Sequence, residues 1–301
     1  MIRALCAVLL AVVLAAAQAE DPVIAVNVDL VNVYFNVCDR KGRLITHLGP
    51  ETFQVFEDGI PQTVTHFSRE TDLPLTIALL IDTSGSVRDK MRIEREAAVE
   101  FLNTTLRPGR DKAAIFTFDS TIDLRQDYTD NLELLSDAVR RARAGGGTFL
   151  YDSLHFLLKN IAQHEGRRGI ILLTDGDDNS SRTTPQIIVE AAQRSNVAIY
   201  AVSVNAFGLQ MGASERSDRI LESLSAETGG KAAFPKQLKE LSTYFKKISI
   251  ELRSQYTIAY RSTNSKRDGT FRRIRIDVKK GHFVNARSGY YAPSQVLAGK
   301  N

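Results

Sequence analysis

Cysteine is scarce in this chain of 301 residues: there are two, and Cys6 lies inside an apolar run near the start. Without that run Cys38 is the only thiol, so no internal disulfide framework can hold the fold and a hydrophobic core must do so. Long hydrophobic runs are missing beyond residues 4–17, and about fourteen apolar residues are too few to span a bilayer. Histidine occurs five times, always singly, which points to packing or surface roles; His155, expected on a helix face with Tyr151 and Lys159, is read that way. Nor is one sign of charge in large excess. The 39 Lys and Arg against 35 Asp and Glu are spread along the chain, which argues little for nucleic acid and is consistent with acidic partners.

The apolar run has a function of its own. Met1-Ile-Arg3 is a short basic start, Ala17-Gln-Ala19 is a small-x-small cleavage pattern, and Glu20-Asp21 follows. Residues 1–19 therefore read as a secretory signal peptide, with an exported chain, periplasmic or extracellular, as the consequence. A membrane anchor would need a longer run and a stop-transfer flank, and Cys6 within the run argues against a lipoprotein. No membrane span is expected in the mature chain. Its length is ample for one α/β domain and a small extra unit.

The most informative stretch is residues 77–86, Ile-Ala-Leu-Leu-Ile-Asp-Thr-Ser-Gly-Ser. An apolar strand buried on both faces would end by presenting Asp82, Ser84 and Ser86 from a solvent-facing loop. One carboxylate and two hydroxyls are oxygen ligands for a hard divalent cation, and the low negative charge would leave the ion able to recruit a carboxylate from outside. With Gly145-Gly-Gly-Thr148 and Leu172-Leu-Thr-Asp175-Gly176 in the same order along the chain, this resembles the von Willebrand factor A domain and its metal-ion-dependent adhesion site over about residues 73–250. The resemblance implies Mg²⁺ or Mn²⁺ held by Asp82, Ser84, Ser86 and Thr148, directly or through water, and Asp175 acting through a water.

On either side the pattern changes. Residues 20–72 alternate apolar and polar around turns, as in residues 26–37 and at Phe53-Gln-Val-Phe56, and Thr63-Val-Thr-His-Phe67 completes a hairpin signature. Short alternating strands recur at 255–260, 271–278 and 283–291. Neither set makes a stable sheet alone, so residues 20–72 and 251–294 are expected to form one β-sandwich-like unit, with 295–301 as a tail. The alternative is edge strands draped over the central domain. The leader, Phe53-x-Val-x-Glu-Asp-Gly59 and Gly289-Tyr-Tyr-Ala-Pro293 together resemble a bacterial group of secreted von Willebrand factor A-related proteins.

Between the flanks, strands at 75–81, 113–118, 169–173, 197–204 and 231–234 alternate with helices at about 88–106, 130–143, 150–164, 185–195, 216–228 and 236–252. This is the mark of an α/β fold with a doubly wound, mostly parallel sheet. A short antiparallel edge strand at 121–124, implied by the resemblance, makes six strands in Rossmann-like order 3-2-1-4-5-6. Thr184-Pro185 reads as a helix start and Gly229-Gly230 as a stop. Leu238, Leu241, Phe245, Ile248 and Leu252 form a stripe facing the sheet.

Other chemistries fit less well. Asp175-Gly-Asp-Asp-Asn179 has the first spacings of a calcium loop, but Ser180 and Gln186 stand where glycine and glutamate belong, so a polar rim is expected. Asp152 is expected to bond loops rather than an ion. An aspartyl phosphotransferase needs a second carboxylate where Ser84 stands, and a serine hydrolase needs a Gly-x-Ser-x-Gly elbow that is absent there. Asn103-Thr-Thr and Asn179-Ser-Ser fit glycosylation acceptors, a pattern short enough to arise by chance. The expected function is thus a non-enzymatic, metal-dependent interaction module for an acidic protein or matrix ligand, with no catalytic residues. The rivals are an accessory or assembly subunit of an envelope complex and a metal-dependent hydrolase.

Overall fold

The structure, a computed structural model, describes residues 30–70, 73–164, 166–204, 215–278 and 281–294. The expected leader at 1–19, the start of the first alternating segment and the tail at 295–301 lie outside them. At the centre is β5 (Leu75–Asp82), buried at all eight positions. Its run of Leu, Ile and Ala permits this because side chains alternate across a strand and both faces are covered. Leu75, Ile77, Leu79 and Ile81 pack with α1 (Met91–Thr105), α2 (Leu132–Arg140) and α6 (Leu238–Arg253). Ala78 and Leu80 pack on the other side with α3 (Leu150–Ile161), α4 (Pro185–Ser195) and α5 (Glu215–Thr228).

Parallel partners flank β5: β6 (Lys112–Phe118) on one side and β8 (Arg167–Thr174) on the other. Beyond them lie β7 (Ile122–Thr129), antiparallel to β6, and the parallel strands β9 (Ala198–Ser203) and β10 (Ala232–Ala233). The sheet order β10-β9-β8-β5-β6-β7 is the expected one. The antiparallel edge strand β7 is twice its expected length. An edge strand needs a partner on one side only and turns polar residues to water, so Arg125, Gln126 and Asp127 hide its extent in the sequence. Pro185 stands at the first turn of α4 after Thr184, whose side chain makes no capping bond. Gly229, with φ +85°, follows the end of α5.

The flanks make two further sheets, neither joined to the central one among the described residues. The first has the order β13 (His282–Ala286), β1 (Leu30–Asp39), β11 (Gln255–Arg261), β4 (Val64–Glu70); the second has β14 (Gly289–Tyr291), β12 (Phe271–Asp277), β2 (Gln54–Glu57), β3 (Ile60–Gln62). They share one core, in which Val33, Phe35, Ile258 and Tyr256 meet Val55, Ile274 and Ile276. The hairpin differs from the sequence reading. Asp58 and Gly59, both with positive φ, form a two-residue turn that pairs β2 with β3. The chain then crosses at Thr63, and β4 joins β11 in the other sheet. Within the core Glu57 accepts from the Tyr260 hydroxyl at 2.9 Å and the Tyr290 hydroxyl at 3.0 Å, with Arg272 at 3.5 Å. Burial, then the Glu57 charge, pushes the Tyr260 phenol well up.

Only Ser254 separates α6 from β11. The junction is held by hydrogen bonds from both units. Asn36 Nδ2 donates to the Glu251 and Ser254 carbonyls at 3.0 and 2.9 Å, and Arg167 Nη1 donates to the Leu252 carbonyl at 3.0 Å. Arg253 Nη2 reaches Asp111 Oδ2 at 2.7 Å. Asp111, fully buried at the N-terminal edge of the central sheet, also accepts from the Leu75 amide at 3.0 Å and from Arg107 Nε at 3.1 Å. Burial raises its carboxyl, but the hydrogen bonds from Arg107 and Arg253 outweigh that and hold it well below the usual range.

Two outcomes follow from these contacts. Asp111→Asn should cost about 3 kcal/mol in urea unfolding at neutral pH, because it leaves Arg253 without its buried anion. Since the folded carboxyl is held low, this contribution is complete above the unfolded value of about 4 and is lost as pH falls; a difference between variant and wild type that persists undiminished at pH 2 would contradict the assignment. Truncation after Arg253 removes both neighbours of β1, the partner of β4 and one of the two partners of β2, which keeps only β3. Limited proteolysis of that form should digest residues 30–70 while sparing the α/β unit, and equal resistance in both forms would show that the flanks do not depend on each other.

Candidate metal centre

The C-terminal ends of β5 and β8 lie where the order of the parallel strands reverses, the place at which open α/β sheets bind ligands. Asp82 ends β5. Its Oδ1 accepts the Ser84 amide at 2.8 Å, which turns the chain back over the strand end, and its Oδ2 accepts the Thr174 hydroxyl at 2.6 Å. Thr174 is the last residue of β8, so the in-register pairing of the two strands places it there. The same hydroxyl accepts the Gly176 amide at 3.0 Å, fixing the chain on either side of Asp175. Asp175 Oδ1 in turn accepts the Asp177 amide at 3.2 Å.

The Ser84–Ser86 segment is anchored from below and from the side. The Thr83 amide and hydroxyl both donate to the Phe118 carbonyl, at 2.8 and 2.9 Å, and the Ser84 and Ser86 hydroxyl oxygens are 2.9 Å apart. The glycine loop is joined to this segment by two backbone bonds, Gly145 amide to Thr83 carbonyl at 2.7 Å and Gly85 amide to Gly146 carbonyl at 3.1 Å. Gly146 has φ +85°, and a side-chain carbon there would come within 2.9 Å of the Ser120 hydroxyl, so the approach requires glycine. The Thr148 amide donates to Asn179 Oδ1 at 3.1 Å, which joins the second loop to the third. Thus all five sequence-predicted residues lie on three loops bonded to one another at one sheet edge.

Their burial differs from the sequence reading. Asp82, Ser84, Thr148 and Asp175 are buried and only Ser86 is exposed, so Asp82 is the floor of the centre and not part of a solvent-facing loop. Burial pushes the Asp82 carboxyl up to about 7; the Thr174 hydrogen bond opposes this and the Asp175 charge adds to it. Among the described residues the hydrogen-bond partners of Asp82 are a backbone amide and a hydroxyl, both neutral. A buried carboxyl beside a second carboxyl, with only neutral donors, is short of positive charge, and the surrounding oxygens are those a hard divalent cation accepts. The donor set therefore fits Mg²⁺ or Mn²⁺. No group of three His, Cys, Asp or Glu converges as ligands among the described residues, in keeping with a set made largely of hydroxyls.

The remaining loop acids are otherwise engaged. Asp178 accepts from the Ser180, Ser181 and Tyr151 amides, and Asp177 accepts from the Ser217 hydroxyl. Asp152 accepts the Arg182 and Thr183 amides at 3.1 and 2.9 Å, as expected of a loop-bonding residue. Two residues escaped the sequence reading. Thr174 stood in the stretch Leu172-Leu-Thr-Asp175-Gly176 without a role, one residue beyond the expected strand at 169–173. Glu94 lies on the buried face of α1 with Met91, Ala97, Ala98 and Phe101, and an acid in an apolar stripe was the signal available. It is fully buried, and neither carboxyl oxygen has a hydrogen-bond partner among the described residues. Burial, then the charges of Asp82 and Asp175, push its carboxyl well above the usual range, with Lys90 easing the effect.

Comparison with known proteins accords with the fold. A family model for the von Willebrand factor type A domain matches residues 76–247. The chain is similar to calcium-activated chloride channel regulator 3A-1 of Mus musculus, with 31% identity over 183 residues, which are 58% of this chain and 19% of that protein. It is also similar to von Willebrand factor A domain-containing protein 3B of Homo sapiens, with 27% identity over 164 residues, 52% of this chain and 12% of that protein. The chain thus spans less than a fifth of the length of either relative. Among solved structures, proximal thread matrix protein 1 from the mussel byssus shares the fold at TM-score 0.50 and 16% identity, over 71% of this chain and 51% of that one. With more than half of its length matched by the family model, the chain belongs to the von Willebrand factor type A domain family.

Proposed function

We propose that this protein is an exported, non-enzymatic interaction module that holds Mg²⁺ or Mn²⁺ through Asp82, Ser84, Ser86 and Thr148, with Asp175 acting through a water, and captures an acidic group of a partner protein or matrix component. The observation that carries the reading is the buried Asp82 carboxyl, beside Asp175 and bonded only to neutral groups. Asp82 anchors the ion from the floor, and Ser86, the one exposed member of the set, stands at the rim where a partner approaches. When bound, the cation supplies an electrophilic position for a carboxylate from outside. Hydrolysis would need a general base beside a metal-bound water. Asp82 and Asp175 are assigned to the ion, and Asp152, Asp177 and Asp178 are tied to loop donors. Export rests on the leader-like residues 1–19, and no helix among the described residues is long and apolar enough to cross a membrane.

Asp82→Asn keeps the shape of the buried side chain and removes its charge. It should lower Mg²⁺ affinity by more than about a hundredfold in titration calorimetry, with an unchanged circular dichroism spectrum. A variant that takes up Mg²⁺ like the wild type would refute the site. Capture of the native partner should require Mg²⁺ or Mn²⁺, be lost in chelator, and fall when one Asp or Glu of the partner is neutralised. Equal affinity in chelator, or no effect of Ser84→Ala combined with Thr148→Ala, would move the interaction surface elsewhere on the protein.

A further inference from the structure

Helix α3 begins without a cap of its own. Phe149 stands at its N-cap position and offers no side-chain acceptor, so the first-turn amides need partners from elsewhere. The third loop supplies them: Asp178 Oδ2 accepts the Tyr151 amide, and Ser181 Oγ accepts the Tyr151 and Asp152 amides, all at 3.1 Å. Asp152 in return accepts the Arg182 and Thr183 amides. One residue of the same stretch, Asn179, is directed to Thr148 instead of to the helix. Its Oδ1 accepts the Thr148 amide at 3.1 Å, and its own amide donates to the Thr148 carbonyl at 3.3 Å. A main-chain N–H can only donate, which fixes the side-chain oxygen of Asn179 on Thr148, and the Ser180 hydroxyl donates to the same oxygen at 2.6 Å. The neighbours of Thr148 are held differently, Gly147 by the Ser120 hydroxyl and Phe149 by the Asp119 carbonyl. Asn179 is exposed, so core packing gives no reason for its side chain. The stretch that fits a glycosylation acceptor, Asn179-Ser-Ser, is thereby engaged at all three positions.

We propose that Asn179 is a positioning residue of the ion site, which acts on a bound divalent cation through Thr148 by holding that residue's main chain at its amide and its carbonyl. This rests on the metal-dependent reading given above. Thr148 belongs to the second loop and Asp175 to the third, and the paired bonds between Thr148 and Asn179 make the two loops move as one body. Ligand distances at a metal are set to within about 0.2 Å, so a small shift of the main chain is enough to weaken the contact of a hydroxyl. Removing the amide side chain leaves the N–H of a buried residue without its acceptor and releases Thr148 to move away from the third loop. Because Asp178 and Ser181 hold the start of α3 from either side of Asn179, the helix follows the third loop as well.

The test uses the full chain and Mg²⁺ alone, titrated by calorimetry into wild type, Asn179→Ala, Thr148→Ala, the two combined, and Asp82→Asn, with circular dichroism and thermal melting in chelator to follow the fold. Asn179→Ala should weaken Mg²⁺ binding by about tenfold with an unchanged spectrum. In the Thr148→Ala background the same substitution should change the affinity by less than about twofold, because the hydroxyl it positions is already gone. Asn179→Asp, which keeps an oxygen within reach of the Thr148 amide, should bind Mg²⁺ no more weakly than wild type. Asn179→Ser, polar but too short to hold that amide in place, is carried through the same cycle with the same expectation as alanine, so the outcome does not hang on the folding of one variant. A merely structural loop residue would lower the melting temperature in chelator and leave the affinity alone, or weaken binding by the same factor in both backgrounds. Either result, or a loss in Asn179→Asp equal to that in Asn179→Ala, overturns the proposal. If Asp82→Asn loses the ion while Asn179→Ala and Asn179→Ser keep it, the metal reading stands and only the role of Asn179 falls. If the wild type takes up no Mg²⁺, both fall together.

Discussion

The bond from the Thr174 hydroxyl to the Asp82 carboxylate is the contact on which the rest of the centre depends. It forms because β5 and β8 run parallel and in register as far as Ile81 and Leu173, so that the residues that follow them, Asp82 and Thr174, meet. The register in turn follows from burial: with apolar side chains on both faces of β5 divided between two helical layers, a slip of one residue would exchange every side chain between the layers. Packing in the middle of the domain thereby sets the position of a carboxylate at its edge. The glycine loop and the Thr148–Asn179 pair then close around a point that is already fixed.

A large part of this was legible in the sequence for a simple reason. Buried parallel strands are continuous apolar runs, and polar loops that follow them directly are conspicuous. The stripe of Leu241, Phe245, Ile248 and Leu252 in α6 could be read in the same way, and all four are buried. Legibility failed where one local pattern admits two partners. Thr63-Val-Thr-His-Phe67 alternates as a hairpin strand should, but the turn at Asp58-Gly59 is satisfied by three residues, Ile60–Gln62, and the rest of the segment belongs to the opposite sheet. Strand β7 was underestimated because an edge shows little apolar periodicity. Asp82 looked solvent-facing because loops usually are; it is packed against the end of β8 and beneath a segment bonded to the glycine loop, both distant in sequence. Glu94 lay in a helical stripe whose other members are apolar, and its relation to Asp82 and Asp175 exists only in three dimensions.

The two ends of the central sheet have different chemistries. At the C-terminal edge, acids collect with neutral donors and no bonded arginine at Asp82. At the N-terminal edge, Asp111 is surrounded by arginine and amide donors and joins β5, α6 and the loop before β6 in one network. One carboxyl is pushed up and the other held down, although both are buried, because hydrogen bonding to arginine dominates at the second and desolvation at the first. The edge that must stay assembled carries its own counter-charges, and at the other edge the proposed cation would supply them.

The position of the α/β unit between the two halves of a β-sandwich has a consequence for the time course of folding. Asn36 bonds the carbonyl of Glu251, 215 residues later, and β1 has both of its neighbours beyond that point. At ordinary synthesis rates of about 5–20 residues per second, tens of seconds separate the appearance of β1 from that of β11. Throughout that interval Val31, Val33, Phe35 and Val37 lack the strands that cover them. The parallel sheet is complete in sequence before the sandwich can begin to zip, so contacts of very long range form last and slowly. β1, the first strand among the described residues, is thus among the last to be paired, and a chain cut short anywhere before β11 betrays itself by an uncovered strand.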